Sequence, residues 1–140
     1  MADSVVPSPN AEVREGGCLC GAVRYRLTGP LRPVFGCHCS QCRKVSGHYV
    51  AATAVDRESF QMLSGEETLS WFESSPGVRR GFCASCGSNL FWDRASLPVI
   101  AVMAGSIDEP SGLTLKSHMF VAYKGDYYEL NDGLPQKQER

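Results

Sequence analysis

The chain has 140 residues, 43% of them hydrophobic, with 14 basic and 15 acidic side chains and a formal net charge of −1. That length predicts one domain with a real hydrophobic core, and the charge balance gives no basic footprint for nucleic acid. No apolar run approaches the ~18 residues of a membrane helix, and the first residues carry Asp3, Glu12 and Glu15 where an export signal would be apolar, so a cytoplasmic protein with no membrane partner is expected.

In chain order, residues 1–15, with Ser4, Pro7, Ser8 and Pro9, are expected to form a flexible tail. Residues 22–28 alternate, with Val23, Tyr25 and Leu27 on one face of a strand and Arg24, Arg26 and Thr28 on the other. Gly29-Pro30 ends it. Residues 34–37 fit a second short strand. Residues 40–45 fit a short helix, with Ser40 as N-cap and Gly47 just past the end. Further strands are predicted at 49–55, 60–64, 68–74, 78–82, 89–92, 99–104 and 117–121, because these stretches are short, rich in Val, Tyr, Phe, Trp and Thr, and separated by Gly-, Pro- and Ser-containing turns. Residues from Asn131, with 136–140 as a C-terminal tail, are expected to be extended and partly frayed. With no long 3.6-residue apolar period, the expectation is a mainly β domain over 16–135, with one or two helical turns.

Cysteine is the informative residue. Seven in 140 is 5%, below the ~8–10% of a disulfide scaffold, and the number is odd. Without an export signal the thiols are expected to stay reduced. They fall into three groups: Cys18-Leu-Cys20, Cys37-His-Cys39-Ser-Gln-Cys42 and Cys83-Ala-Ser-Cys86. Glycine flanks each group, as a metal knuckle requires, since the chain must turn tightly for two thiolates to reach one ion ~2.3 Å away. A C-x-C pair in a regular strand would leave its thiols too far apart, so Cys18 and Cys20 are expected on a bend.

The spacing suggests four plus three. Cys18, Cys20, Cys83 and Cys86 make a closed site of the structural kind, whereas Cys37, Cys39 and Cys42 leave one position of a tetrahedral zinc open. Two zinc ions per chain are therefore expected. The alternatives are that His38, His48 or His118 closes the second site, or that some thiols are small buried hydrophobes. Zinc on three thiolates is a weaker Lewis acid than zinc on histidines, but it holds a fourth sulfur as thiolate, which favours thiol chemistry over hydrolysis. A zinc deaminase would need an H-x-E signature, and Cys39-Ser40 follow His38. A methionine sulfoxide reductase would need a late redox cysteine, and none follows Cys86.

The segments Gly17-Cys-Leu-Cys-Gly-Ala-Val-Arg-Tyr25, Cys37-His-Cys-Ser-Gln-Cys-Arg-Lys44 and Gly77-Val-Arg-Arg-Gly-Phe-Cys-Ala-Ser-Cys-Gly87 together resemble the glutathione-dependent formaldehyde-activating enzyme / centromere protein V family. Weaker matches continue through Gly105–Pro110, His118–Val121 and Asp132–Pro135. The resemblance implies a β-tent type of fold of short antiparallel strands with two zinc sites. It assigns Cys18, Cys20, Cys83 and Cys86 as structural ligands and Cys37, Cys39 and Cys42 as the catalytic set. It further implies a carbon–sulfur lyase that joins a small thiol, glutathione, to formaldehyde. A zinc module for protein interaction, with the second site closed by a fourth protein ligand, is the rival reading.

Other residues carry two readings each. His38 is either a turn residue or a functional group, His48 either lines the site or is a solvated loop residue, and His118 is either structural or part of the family pattern. Arg43 and Lys44 would attract a carboxylate-bearing thiol or simply form an exposed face. Arg79 and Arg80 are expected to decorate a strand. Trp71, Phe72, Phe82, Phe91 and Trp92 are expected in the core, while Tyr123, Tyr127 and Tyr128 could wall a small pocket that nothing in the sequence places.

Overall fold

The computed structural model describes residues 12–140. Its elements in chain order are strands β1 (Val13–Gly17), β2 (Arg24–Thr28) and β3 (Val34–Cys37), helix α1 (Ser40–Ser46), then β4 (Val50–Asp56), β5 (Phe60–Ser64), β6 (Leu69–Ser75), β7 (Val78–Cys83), β8 (Asn89–Arg94), β9 (Val99–Met103) and β10 (Leu115–Met119). They form a three-stranded sheet, β1-β2-β5, and a seven-stranded sheet, β10-β3-β4-β9-β8-β7-β6. Neighbouring strands are antiparallel except β10 and β3, which run parallel. The mainly β, β-tent-like expectation holds.

The large sheet contributes buried residues from both faces, and period-2 alternation decides which residue goes where. Ile100 and Val102 of β9 join Tyr25 and Leu27 of the small sheet, and Val23 just before β2, in the main core, with Val55, Leu90 and Phe91. Phe91 meets Tyr25 and Phe60 edge-on, at centroid distances of 5.3 and 5.1 Å. Ala101 and Met103 point the other way, into a second cluster with Cys37, Cys42, Val50 and Ala52. Phe91 therefore meets the core expectation, whereas Phe72 on the edge strand β6 is 59% exposed.

The main differences from the sequence expectation lie at the chain ends. Val13–Glu15 belong to β1 and pair with β2, Glu15 bonding Arg26 at 2.9 Å; the rest of the expected tail, residues 1–11, lies outside the described residues. This strand has no apolar alternation because its cross-strand contacts are charged. The C-terminal stretch is extended but docked: the amides of His118, Val121 and Lys137 donate to Pro135, Lys137 and His118 carbonyls at 2.9–3.0 Å. Helix α1 is capped by Cys39, one residue before the expected Ser40, because the Cys39 sulfur accepts the Cys42 amide at 3.4 Å. Gly47 closes it in the left-handed region, at φ 80°.

Candidate functional site

Cys18 and Cys20 lie between β1 and β2 on a tight turn, as a C-x-C pair sharing an ion requires. Cys18 donates its amide to the Val23 carbonyl and Gly21 donates to Cys18, both at 3.1 Å. Cys83 ends β7, and the Gly87 amide returns to its carbonyl at 2.7 Å, so Cys86 turns back toward it. Ser88 ties the two turns together: its hydroxyl accepts the Leu19 amide at 2.9 Å and lies 3.2 Å from the Cys86 sulfur.

The four sulfurs lie within 4.8 Å of one another, with Cys18–Cys20 at 3.6 Å and Cys20–Cys83 at 3.8 Å. A tetrahedral four-thiolate zinc requires about 3.8 Å between sulfurs, so the donors fit such an ion. Amides of Val23 and Cys86 donate to the Cys18 and Cys83 sulfurs at 3.2 and 3.4 Å, which suits thiolates.

The second group is built by β3, α1 and sheet register. Cys37 ends β3, and Cys39 and Cys42 lie three residues apart around the first turn of α1, where side chains share a face. Their sulfurs also lie within 4.8 Å of one another, and among the described residues no fourth His, Cys, Asp or Glu joins them. Hydrogen bonds from the Cys37 and Cys42 thiols, helped by the Cys42 and Gln41 amides, draw Cys39 down to about 2. Cys37 is pushed up by its bonds to Cys39 and Cys42 and by burial. Three thiols so close share protons, and a bound cation is what lets all three ionise.

These sulfurs border a cavity of about 600 Å³. Its floor is three cross-strand rows of one sheet face: Val50–Cys37–Met119, Met103–Ala52–Phe35 and Ala101–Trp92–Arg80. Arg94 and Arg140 also line it. The Arg80 guanidinium is buried, donating to the Ser74 hydroxyl at 3.2 Å, the Gln41 side-chain oxygen at 3.2 Å and the Cys42 sulfur at 3.6 Å. Sequence reasoning left Arg80 on the surface. Only the register, in which Arg79 opposes Asp93 and Arg80 opposes Trp92, turns it inward.

The three histidines do not line the cavity. His38 and His118 are both 0% exposed and lie on the opposite side of the Cys37–Cys39 turn. His118 opposes Gly36, where an added Cβ would meet its Nδ1 at 2.8 Å, so glycine leaves the space for the ring. The Tyr128 hydroxyl and His38 Nδ1 hydrogen-bond at 2.6 Å, His38 Nε2 and His118 Nδ1 at 2.9 Å, and His118 Nε2–H donates to the Asp132 carboxylate at 2.7 Å. Burial, then the neighbouring His118, lowers His38 to about 4, so it is neutral near pH 7. His48 is exposed and bonds the Tyr127 hydroxyl at 2.6 Å. Arg43 and Lys44 do not line this cavity, and neither do Tyr123, Tyr127 and Tyr128. The histidine relay was invisible in sequence, because its members span residues 38 to 132.

A family model described as glutathione-dependent formaldehyde-activating enzyme matches residues 13–123. A Halomonas elongata protein with the provisional name glutathione-dependent formaldehyde-activating enzyme is 30% identical over 130 residues, covering 83% of this chain and 80% of its own length. An uncharacterized lyase of Schizosaccharomyces pombe is 30% identical over 79 residues, 56% of each chain. The crystal structure of a Rhodobacter sphaeroides protein superposes with a TM-score of 0.59 at 20% identity, covering 88% of this chain and 98% of that one, a likeness of fold.

Proposed function

The chain belongs to the glutathione-dependent formaldehyde-activating enzyme family, and from that premise we propose that it is a zinc-dependent carbon–sulfur lyase joining a small thiol, by family glutathione, to formaldehyde. In this reading Cys18, Cys20, Cys83 and Cys86 hold a structural ion and Cys37, Cys39 and Cys42 hold the catalytic one. The observation that carries it is the three-sulfur cluster bordering a cavity of about 600 Å³ with no fourth protein ligand among the described residues. The rival interaction module needs that fourth ligand, and His38, His48 and His118 are all engaged elsewhere.

Zinc, when bound, supplies an open position that keeps a fourth sulfur as a nucleophilic thiolate at neutral pH. The protein's own groups do the rest. Cys37, Cys39 and Cys42 hold the ion, and Phe35, Trp92, Met103 and Met119 wall the cavity and displace water from it. Arg94 and Arg140 offer positive charge to the carboxylates of an incoming thiol. The thiolate sulfur adds to the aldehyde carbon, the carbonyl π pair moves to oxygen, and that oxygen takes a proton; the reverse direction breaks the same carbon–sulfur bond.

All seven cysteines are free thiols, which suits a reducing compartment and hence the cytoplasm. No helix among the described residues is long and apolar enough to cross a membrane. The test is NMR of ¹³C-formaldehyde with glutathione: the protein should accelerate formation of the S-hydroxymethyl adduct, and Cys39→Ser should not. Equal rates with and without the wild-type protein would sink the reading.

A further inference from the structure

Adjacent arginines on β7 are neutralised in opposite ways. Arg79 faces solvent and bonds Asp93, at 3.0 Å. Arg80 is only 5% exposed, and among the described residues no carboxylate lies within ion-pair distance of it. A buried guanidinium without a counter-charge is strongly disfavoured. Its hydrogen bonds to Ser74 and Gln41 are to neutral groups, and its third partner is the Cys42 sulfur at 3.6 Å, which becomes an anion once a cation binds the cluster. With a metal bound, the three-cysteine cluster is the anion within reach of Arg80.

Formal charge then constrains the ligand. Three thiolates and a divalent ion sum to −1, and Arg80 brings the assembly to zero. A further thiolate takes it to −1 with Arg80 and to −2 without it. We propose that Arg80 is the built-in counter-charge that makes the open position of the Cys37/Cys39/Cys42 site select an anionic sulfur ligand over a neutral one. This rests on the thiol reading above. On binding, the thiol S–H bond breaks, its proton passes to solvent, and the sulfur keeps the electron pair it donates to the ion. Arg80 borders both Cys42 and the cavity, so its charge acts on the resident sulfur and on the incoming one.

The test uses full-length protein with cobalt in both sites, titrated separately with 2-mercaptoethanol and imidazole while the sulfur-to-metal absorption is followed. Wild type should bind 2-mercaptoethanol with release of one proton. Arg80→Gln should weaken that binding by about 10–100-fold, the scale of an outer-shell partner, and leave imidazole affinity within about twofold. Arg80→Lys, which keeps the charge and loses the fork, should restore most of the thiol affinity. A structural role alone would weaken both ligands together, and that result overturns the inference, as does unchanged thiol binding in Arg80→Gln. Should Arg80→Gln fail to fold, Arg80→Lys decides alone: keeping imidazole but losing thiol overturns the inference, and keeping both supports it. Wild type that binds imidazole but no thiol removes the thiol reading itself; wild type and Arg80→Gln binding thiol equally well removes only the role of Arg80.

Discussion

The two cysteine centres use the same ligand atom and differ in what surrounds it. At the four-cysteine centre two tight turns face each other, cross-tied through Ser88, and the protein supplies every ligand. At the three-cysteine centre the ligands come from a strand end and a helix start, a buried cation stands behind them, and a cavity lies where a fourth ligand would be. The first arrangement brings together residues 65 apart, Cys18 and Cys83, so an ion held there would act on folding. The second leaves one position to be filled from outside, so an ion held there would act on a ligand. In the proposed function, closure or openness of the ligand set is what separates a structural from a reactive metal, while the thiols themselves are alike.

The largest test of this contrast is Cys83→Ser. Structural zinc sites are worth about 10–16 kcal/mol in small peptides, as much as a whole domain's ~5–15 kcal/mol stability. The expected outcome is loss of cooperative thermal unfolding by circular dichroism. A cooperatively folded Cys83→Ser protein would remove the structural role. Next, Cys39→Ser should keep the fold while elemental analysis falls from two metals per chain to one and adduct formation drops to background. Global unfolding of that variant would make both centres structural.

The third variant, His118→Ala, probes what stiffens the open centre from behind. It leaves the buried His38 ring and Asp132 without their partner, which costs about 2 kcal/mol by denaturant titration. It should also loosen metal at the three-cysteine centre and spare the other. Equal loss of both metals would show that the relay supports the whole fold.

The smallest effect concerns the solvent side of β7. Burial works to raise Asp93, but hydrogen bonds from Arg57 and Arg79, at 2.5 and 3.0 Å, outweigh it and hold the carboxyl below its ordinary value. A depressed carboxyl stabilises the fold above the unfolded value of ~3.9, and that contribution disappears as pH falls through the lower folded-state value. Asp93→Asn should therefore cost about 1 kcal/mol at pH 7, since both arginines are part-exposed, and should flatten the acid limb of stability. Acid sensitivity unchanged in the variant would contradict the assignment. Metal occupancy at both centres should stay unchanged, which sets this ion pair apart from Arg80.

Much of this was legible in the residues. Val23, Tyr25 and Leu27 alternate because one face of β2 is buried, and all three lie in the core. The cysteine groups and their glycines are local: two segments bring two sulfurs together and one brings three, and this spacing is what suggested a division of four and three candidate ligands. What escaped was non-local or polar. β1 carries charged pairs in place of apolar alternation, and the ends of the chain are held by backbone hydrogen bonds that any sequence could make. The N-cap was placed at Ser40 because serine is a common cap, whereas the chain uses the sulfur of Cys39.

Sequence by itself determined the strands after β1, the short helix and the three cysteine groups, since those follow from patterns a few residues long, whereas the tertiary fold joins Cys18 and Cys20 to Cys83 and Cys86. Tertiary structure alone decided which of two neighbouring arginines is buried, what stands behind His38, and that a cavity adjoins the second centre. These depend on strand order and register: β7 against β8 turns Arg80 inward beside Trp92, and β10 parallel to β3 lays His118 over Gly36. A one-residue slip in either pairing would send those side chains to the opposite face, and no local pattern in the chain specifies against it.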